Sequence, residues 1–274
     1  MKRLELSARC KVREGRLDGF KGLAAEFIRQ TREKDTGTLR FDWFLSRDQT
    51  ECEIREEYLD AQSFMEHKAN TAQVTQELFS QFADDHRVSI FGDPPAMLVE
   101  RVEQSPMGRT VKWFRFIRGL EVEPTSYWDR TSSPGVKPGL ELGAHMTVRP
   151  SEADGFGKQA AELLRITRER DTRTLRYDWF VSRDGTECEV REAYVDGQGL
   201  VEHNANVSQA RDALFVRFAD NHFMTGYGEL TQELIDLFRA VHMEEHVRWF
   251  FFLGGLDKPV MTTQPVEFQR ATSS

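Results

Sequence analysis

Hydrophobic and polar residues alternate along residues 4–13, and this pattern predicts a β-strand. From Asp18 onward, hydrophobic residues recur every three or four positions, which predicts a helix with one apolar face. Two further alternating runs flank the pair Asp48-Gln49, which becomes Asp184-Gly185 in a later copy of the same stretch. An Asp-Gly pair between alternating runs is typical of a β-hairpin with a two-residue loop.

Beyond this hairpin the pattern predicts short helices and one more strand. Asp60 is expected to cap the first of these helices, and Asn70 with Gln73 has the spacing of a capping box, which predicts the start of the next. A further helix from about Pro94 to Glu103 precedes a last strand, Thr110 to Arg118. The predicted order is therefore strand, helix, strand, strand, helices, strand.

The whole pattern repeats 136 residues later without a gap. Between Thr31 and Asp60, 22 of 30 residues are identical in the second copy. A repeat of this length is a whole domain, because solenoid repeats span only about 20–50 residues. We expect a first domain over residues 1–120 and a second over 140–256, joined by a linker rich in Pro, Ser and Gly at 121–139 and followed by a tail at 257–274.

The hairpin loop also predicts which residues face each other on its two strands. Trp43 is expected opposite Ile54. Asp42 is expected opposite Arg55, where the two charges would form a cross-strand ion pair. One face of the hairpin is then mainly apolar and the other mainly charged.

This order of elements is that of a ferredoxin-like βαββαβ unit, which carries its helices on one face of an antiparallel sheet. The other face and the sheet edges need a partner, and a second copy can supply both. The predicted fold class is therefore α+β, with two ferredoxin-like repeats forming an intrachain pseudo-dimeric α/β barrel.

The composition narrows the function classes. The net charge of −8 argues against a surface that binds nucleic acid, because such binding depends on Lys and Arg contacting phosphates. The N-terminus lacks the apolar run of a signal peptide, and no run approaches the roughly 18 apolar residues that span a membrane. Three scattered cysteines without a CxxC spacing disfavour a disulfide framework or a zinc site. We therefore expect a cytoplasmic protein that holds no metal and binds neither nucleic acid nor membrane.

The stretches LRFDWFLS and EIREEYLDAQSFMEH resemble the antibiotic biosynthesis monooxygenase family. The resemblance covers about residues 4–120 and 140–256 and implies the dimeric α/β barrel of that family. It also implies an activity, since the family includes small oxygenases that use no cofactor and act on quinols or aromatic polyketide intermediates. The family's pockets lie between the sheet and the helices.

The resemblance carries over three positions in each copy: Glu56, Tyr58 and His67, repeated as Glu192, Tyr194 and His203. Many family members have a second His five positions after the first, where this chain has Ala72 and Ser208. A haem-degrading branch of the family has a His later in this helix, where Glu77 and Ala213 stand here, so haem is disfavoured.

Candidate proton-transfer residues occur once in each copy. Glu56 and Glu192 interrupt the apolar face of the hairpin, where burial would raise the pKa of a carboxyl and suit it to accept a proton. His67 and His203 could exchange protons with a phenolic or quinol substrate near neutral pH. Structural roles stay open for all four residues: a salt bridge for each Glu and closure of a helix C-terminus for each His.

Substrate contacts are predicted for three further pairs of residues. They are Trp43 and Trp179, Tyr58 and Tyr194, and Asn70 and Asn206. An aromatic ligand would stack near the Trp, while Tyr and Asn would donate hydrogen bonds. The structural alternatives are a plain core for the aromatic residues and a helix cap for the Asn. His86 and His222 lie near Asp residues, but no diagnostic spacing supports a metal site there.

These observations predict a cofactor-independent, monooxygenase-like protein that acts on a small aromatic or quinol-type compound. Two alternatives stay open: a non-catalytic protein that binds a small apolar or aromatic molecule, and a duplicated domain without an active pocket. The sequence leaves open whether two tandem chains pair into a homodimer.

Overall fold

The computed structural model describes residues 4–120 and 138–257, which form two similar units. The first unit contains β1 (Leu4–Val12), α1 (Leu17–Lys34), β2 (Thr38–Ser46), β3 (Glu51–Tyr58), α2 (Ala61–Asn70), α3 (Ala72–Glu77), β4 (Ala83–Phe91), α4 (Ala96–Glu103) and β5 (Val111–Arg118). The second contains β6 (Leu140–Val148), α5 (Ala153–Arg170), β7 (Thr174–Ser182), β8 (Glu187–Tyr194), α6 (Gly197–Arg217), β9 (Ala219–Gly228), α7 (Gln232–Ala240) and β10 (Val247–Gly254). Most of the predicted linker, 121–137, and the predicted tail beyond Asp257 lie outside the described residues.

The strands of both units form one closed barrel. In the first unit β1 lies between β4 and β3, and β2 follows β3, which is the strand order of a ferredoxin-like sheet. The second unit repeats this order with β9, β6, β8 and β7. The predicted fold class is confirmed.

The last strand of each unit joins it to the other unit. Strand β5 runs parallel to β4 of its own unit and antiparallel to β7 of the second unit. Strand β10 runs parallel to β9 and antiparallel to β2 in the same way. Because these crossings cover the open edges of both sheets, the ring closes within a single chain.

The fourth strand of each ferredoxin-like unit was missed by the sequence analysis, which assigned that role to residues 110–118. The fourth strand is β4, and the strand at 110–118 is the crossing strand β5. A bulge at Asp85 explains the error. Asp85 has a φ of 55°, and the pairing of β4 with β1 shifts its register there, between Arg9 and Lys11. A bulge breaks the alternation from which a strand is predicted.

The predicted helix start at Asn70 is also wrong. Asn70 is the last residue of α2, and its counterpart Asn206 lies inside the continuous helix α6. The side chains of both bond to an aspartate instead, as described below. The predicted cap at Asp60 is confirmed, because its carboxylate accepts a hydrogen bond from the backbone N–H of Ser63 at 2.8 Å.

The predicted hairpin register is confirmed, but its predicted ion pair is not. Asp42 lies opposite Arg55 on the paired strands, yet its carboxylate bonds Arg40 at 2.8 Å. The Arg55 guanidinium lies 3.3 Å from Glu5 of its own unit and 3.3 Å from Glu141 of the other. Arg55 therefore turns into the barrel, where carboxylates of both units converge.

The interior of the barrel is charged, and its ion pairs cross between the units. Arg40 bonds Glu141 at 2.7 Å, and Arg176 bonds Glu5 at 2.7 Å in the equivalent arrangement. Burial raises the pKa of the Glu141 carboxyl, but the positive charges of Arg40 and Arg55 outweigh burial and lower that pKa to about 2. These pairs hold the two sheets face to face.

Each unit also has an apolar core between its sheet and its helices. The crossing strands contribute to the core of the opposite unit: Leu253 packs in the first core and Ile117 against the second. None of the described helices is long and apolar enough to span a membrane.

Candidate active site

A cavity of about 240 Å³ lies in the second unit, between the sheet and helices α6 and α7. Most of its wall is apolar and comes from the sheet and from helices α5, α6 and α7. Residues of this apolar wall include Leu163, Trp179, Val190, Leu200, Val207 and Phe238. An apolar cavity of about 150 Å³ holds one benzene ring, so this one has room for about two fused rings.

The predicted residues of the second unit meet at this cavity to different degrees. Trp179, Glu192 and His203 line it. Tyr194 stands behind Glu192 and donates a hydrogen bond from its hydroxyl to the Glu192 carboxylate at 2.8 Å. Asn206 does not border the cavity; its amide supports the residue that holds His203.

That supporting residue is Asp171, which the sequence analysis missed. Asp171 caps the C-terminus of α5, and its carboxylate lies 2.7 Å from Nδ1 of His203. The same carboxylate accepts hydrogen bonds from the Asn206 amide at 2.8 Å and the Thr174 hydroxyl at 2.7 Å. The motif D-T-x-T at this helix–strand junction occurs in both copies and is the sequence signal that would have pointed to it.

The Asp171 contacts fix the state of the pair. Burial raises the pKa of the Asp171 carboxyl, but hydrogen bonds from His203 and Asn206 outweigh burial and leave that pKa below its usual value. An ionised Asp171 accepts a hydrogen bond from Nδ1–H of His203, and in this tautomer Nε2 is the hydrogen-bond acceptor. A carboxylate that orients a histidine in this way is the arrangement of a general base.

Two more groups with perturbed proton affinity border the cavity. Burial raises the pKa of the Glu192 carboxyl, and the neighbouring His203 and Tyr194 offset only part of this rise. Burial also raises the pKa of Tyr177 well above its usual value, with a further contribution from the charge of Glu192. Tyr177 is therefore a neutral hydroxyl donor, and its ring packs edge-on against His203 at 4.7 Å.

Tyr177 was also missed, because its counterpart in the first copy is Phe41 and the difference is a single hydroxyl. The outer wall of the cavity carries a second polar group. Arg211 borders it and donates hydrogen bonds to the side chains of Asn204 and Asp212. Burial, together with the charge of Arg211, lowers the pKa of the adjacent His222 to about 4.

The first unit repeats the hydrogen-bond network almost unchanged. Asp35 lies 2.7 Å from Nδ1 of His67 and accepts a hydrogen bond from Asn70 at 2.8 Å. The Tyr58 hydroxyl donates to the Glu56 carboxylate. The fold therefore brings the predicted residues together in both copies. In each copy the histidine contacts an aspartate that was not predicted as a site residue.

The packing around this network differs between the units. Phe27 and Phe64 stand in the first unit where the second has Leu163 and Leu200. The Phe27 ring stacks on Phe41 at 5.2 Å and meets Trp43 edge-on at 5.5 Å. Phe64 packs edge-on against Tyr58 at 5.5 Å. The two additional rings thus occupy the region that borders the cavity in the second unit.

The metal hypothesis at His86 and His222 gains no support. Within residues 4–120 and 138–257, no group of three or more His, Cys, Asp or Glu side chains is placed to hold a metal ion. His86 and His222 instead stack against Phe79 and Phe215, each with ring centroids 4.4 Å apart.

Residues 4–76, from β1 to α3, match the family model described as antibiotic biosynthesis monooxygenase. The predicted family resemblance is confirmed. The second unit repeats the matched segment in sequence and in fold. A search of curated proteins gives no match.

Two solved structures have the same architecture over most of the chain. A protein from Fusobacterium nucleatum, provisionally assigned as a monooxygenase, is 13% identical, with 81% of this chain and 89% of that chain covered and a TM-score of 0.53. A protein from Lactobacillus acidophilus with the same provisional assignment is 9% identical, with 82% and 92% covered and a TM-score of 0.53. At these identities the similarity shows the fold alone.

Proposed function

We propose that the second unit binds a small aromatic compound of the phenol or quinol type and oxygenates it without a cofactor. The observation that carries this proposal is a buried His203, held by Asp171, on the wall of an apolar cavity. The monooxygenase family match over residues 4–76 supports the same reaction class. The cavity volume favours a substrate of about two rings.

The first step is removal of a proton from the substrate hydroxyl by Nε2 of His203. Asp171 stabilises the imidazolium that forms, because its carboxylate accepts a hydrogen bond from Nδ1–H at 2.7 Å. The Tyr177 hydroxyl, on the same wall, donates a hydrogen bond to the substrate oxygen and stabilises its negative charge. Trp179 and Leu200 hold the ring plane in the apolar part of the cavity.

The electron-rich anion then reacts with dioxygen. One electron passes from the phenolate to dioxygen, and the resulting superoxide and substrate radical combine at a ring C–H carbon ortho or para to the hydroxyl. The peroxide takes back the proton held by His203. Glu192 then removes the hydrogen of that carbon as a proton while the O–O bond breaks, and the hydroxide that leaves takes this proton from Glu192 to form water. The net change is phenol plus O₂ to quinone plus H₂O, so atoms and electrons balance.

Glu192 suits the second proton transfer because burial keeps the pKa of its carboxyl above the usual value. Tyr194 fixes its orientation through the hydrogen bond of 2.8 Å. Two proton acceptors at one cavity therefore match the two hydrogens that leave the substrate, one from its hydroxyl and one from a ring carbon.

Oxygen consumption with a panel of two-ring and three-ring hydroquinones and anthrones tests this proposal. His203→Ala should lower kcat at least about 100-fold, since a positioned general base contributes about 10²–10⁴-fold. The matched control His67→Ala removes the same side chain from the first unit and should leave kcat unchanged.

Equal losses in the two variants would contradict a site in the second unit. Tight binding of a panel compound without any oxygen consumption would instead favour the non-catalytic alternative, in which the same cavity only sequesters an aromatic molecule.

A further inference from the structure

The polar groups on the wall of the second-unit cavity form two sets. Tyr177, Glu192 and His203 are buried and lie against the sheet. Arg211 lies further along helix α6, and its side chain is 28% exposed. His203 and Arg211 are eight residues apart on this helix, which places them on one face and about 12 Å apart along its axis.

We propose that the natural ligand is an aromatic hydroxy acid, whose hydroxyl meets His203 and Tyr177 and whose anionic group pairs with Arg211. This inference names the substrate class of the proposed function and rests on that proposal. A two-ring compound with a hydroxyl at one end and a carboxylate at the other fits the cavity volume of about 240 Å³.

The setting of Arg211 suits a carboxylate. Asn204 and Asp212 accept hydrogen bonds from its two terminal nitrogens, the Asp212 contact at 3.0 Å, and thereby orient the guanidinium. A guanidinium carries five N–H donors, so it can hold these neighbours and a ligand carboxylate at once. The Asp212 side chain is 67% exposed, so water screens its charge and the arginine still presents a positive end to the cavity.

The first unit lacks the guanidinium and the inner hydroxyl at the matching positions. Thr75 replaces Arg211, and Phe41 replaces Tyr177. Lys68 stands where Asn204 lies in the second unit, and its ammonium sits over the Phe64 ring at 5.4 Å. The second unit thus combines the cavity, the inner hydroxyl and the outer guanidinium, as a site for one ligand with both an aromatic body and an acid group requires.

Three probes with the same ring system separate the contributions: 2-naphthol, 6-hydroxy-2-naphthoate and the methyl ester of 6-hydroxy-2-naphthoate. Binding is measured by calorimetry under nitrogen, so that no oxygenation occurs. The full-length protein should bind the naphthoate about tenfold more tightly than the naphthol or the ester. Arg211→Gln should remove this tenfold preference and leave naphthol binding unchanged, while the matched control Thr75→Gln should change nothing.

Equal affinity for the acid and its ester, or no binding of any probe, would overturn the inference. So would an Arg211→Gln variant that weakens all three probes equally, because that result indicates a structural role for the arginine. Loss of the acid preference leaves the proposed function standing if hydroquinone oxidation still depends on His203. A strong acid preference without any oxygen consumption would instead refute the oxygenase proposal and keep the ligand class.

Discussion

The two units share one hydrogen-bond network and differ in the packing around it. His67 and His203 each lie 2.7 Å from an aspartate at the end of the preceding long helix. Around His203 two leucines border a cavity, whereas around His67 two phenylalanines pack against the neighbouring rings. The fold repeats the network in both units, and the packing differs between them at two positions that border the cavity, Leu163 and Leu200 against Phe27 and Phe64.

The repetition of the network has a structural reason. The aspartate, histidine and asparagine lie where α1 meets β2 and α5 meets β7, and they satisfy buried polar groups at those junctions in both units. Such a network stabilises the fold whether or not a ligand binds. Its presence alone is weak evidence for activity, and its combination with a cavity is stronger evidence.

The most severe test of the comparison is to fill the cavity of the second unit. Leu163→Phe with Leu200→Phe reproduces the first-unit side chains and should lower both probe affinity and oxygen consumption about 10- to 150-fold. The reason is that a lost site for one buried ring corresponds to about 1.5–3 kcal/mol. Isothermal calorimetry and an oxygen electrode measure the two effects.

Thermal unfolding is the control for that variant, since a filled cavity should leave Tm unchanged or raise it. Full activity in a stably folded double variant would show that the reaction does not occur in this cavity.

The next test concerns what the two units share. The folded-state pKa of Glu141 is about 2 against an ordinary 4.5, so its ionisation stabilises the fold above about pH 4.5, and this contribution disappears as the pH falls towards 2. Glu141→Gln should lower the free energy of unfolding at pH 7 by about 3 kcal/mol. It should also flatten the dependence of stability on pH between 4.5 and 2.

Urea denaturation at pH 7 and pH 3 measures both effects. The matched variant Glu5→Gln removes the equivalent carboxylate from the first unit and should behave alike, since Glu5 pairs with Arg176 as Glu141 does with Arg40. An unchanged pH dependence in both variants would show that the charged interior does not hold the units together.

Local sequence patterns predicted the architecture well, because the features that fix it are close in the chain. The two-residue turn at Asp48-Gln49 determines the pairing of Trp43 with Ile54 directly. The fourth strand escaped prediction where the bulge at Asp85 breaks the alternation. Asp171 escaped for another reason: it lies 32 residues before His203, and only the fold brings the two together.

The cavity could not have been predicted from either copy alone. Exchanging Phe for Leu preserves the hydrophobic pattern, so the two units appear equivalent at the level of periodicity. The exchange of Phe for Leu changes the packing only because both positions face the same space. They do so because α1 packs beside α2 in the first unit and α5 beside α6 in the second.

The mildest change opens the first unit. Phe27→Leu with Phe64→Leu should reduce the free energy of unfolding by about 1–3 kcal/mol through lost ring packing. It should also raise the calorimetric stoichiometry for 2-naphthol from one to two molecules per chain. The new site lacks counterparts of Tyr177 and Arg211, so the second molecule should bind more weakly and without preference for the naphthoate. A stoichiometry of two in the unaltered protein would mean that the first unit already accommodates a ligand and that the phenylalanines do not fill it.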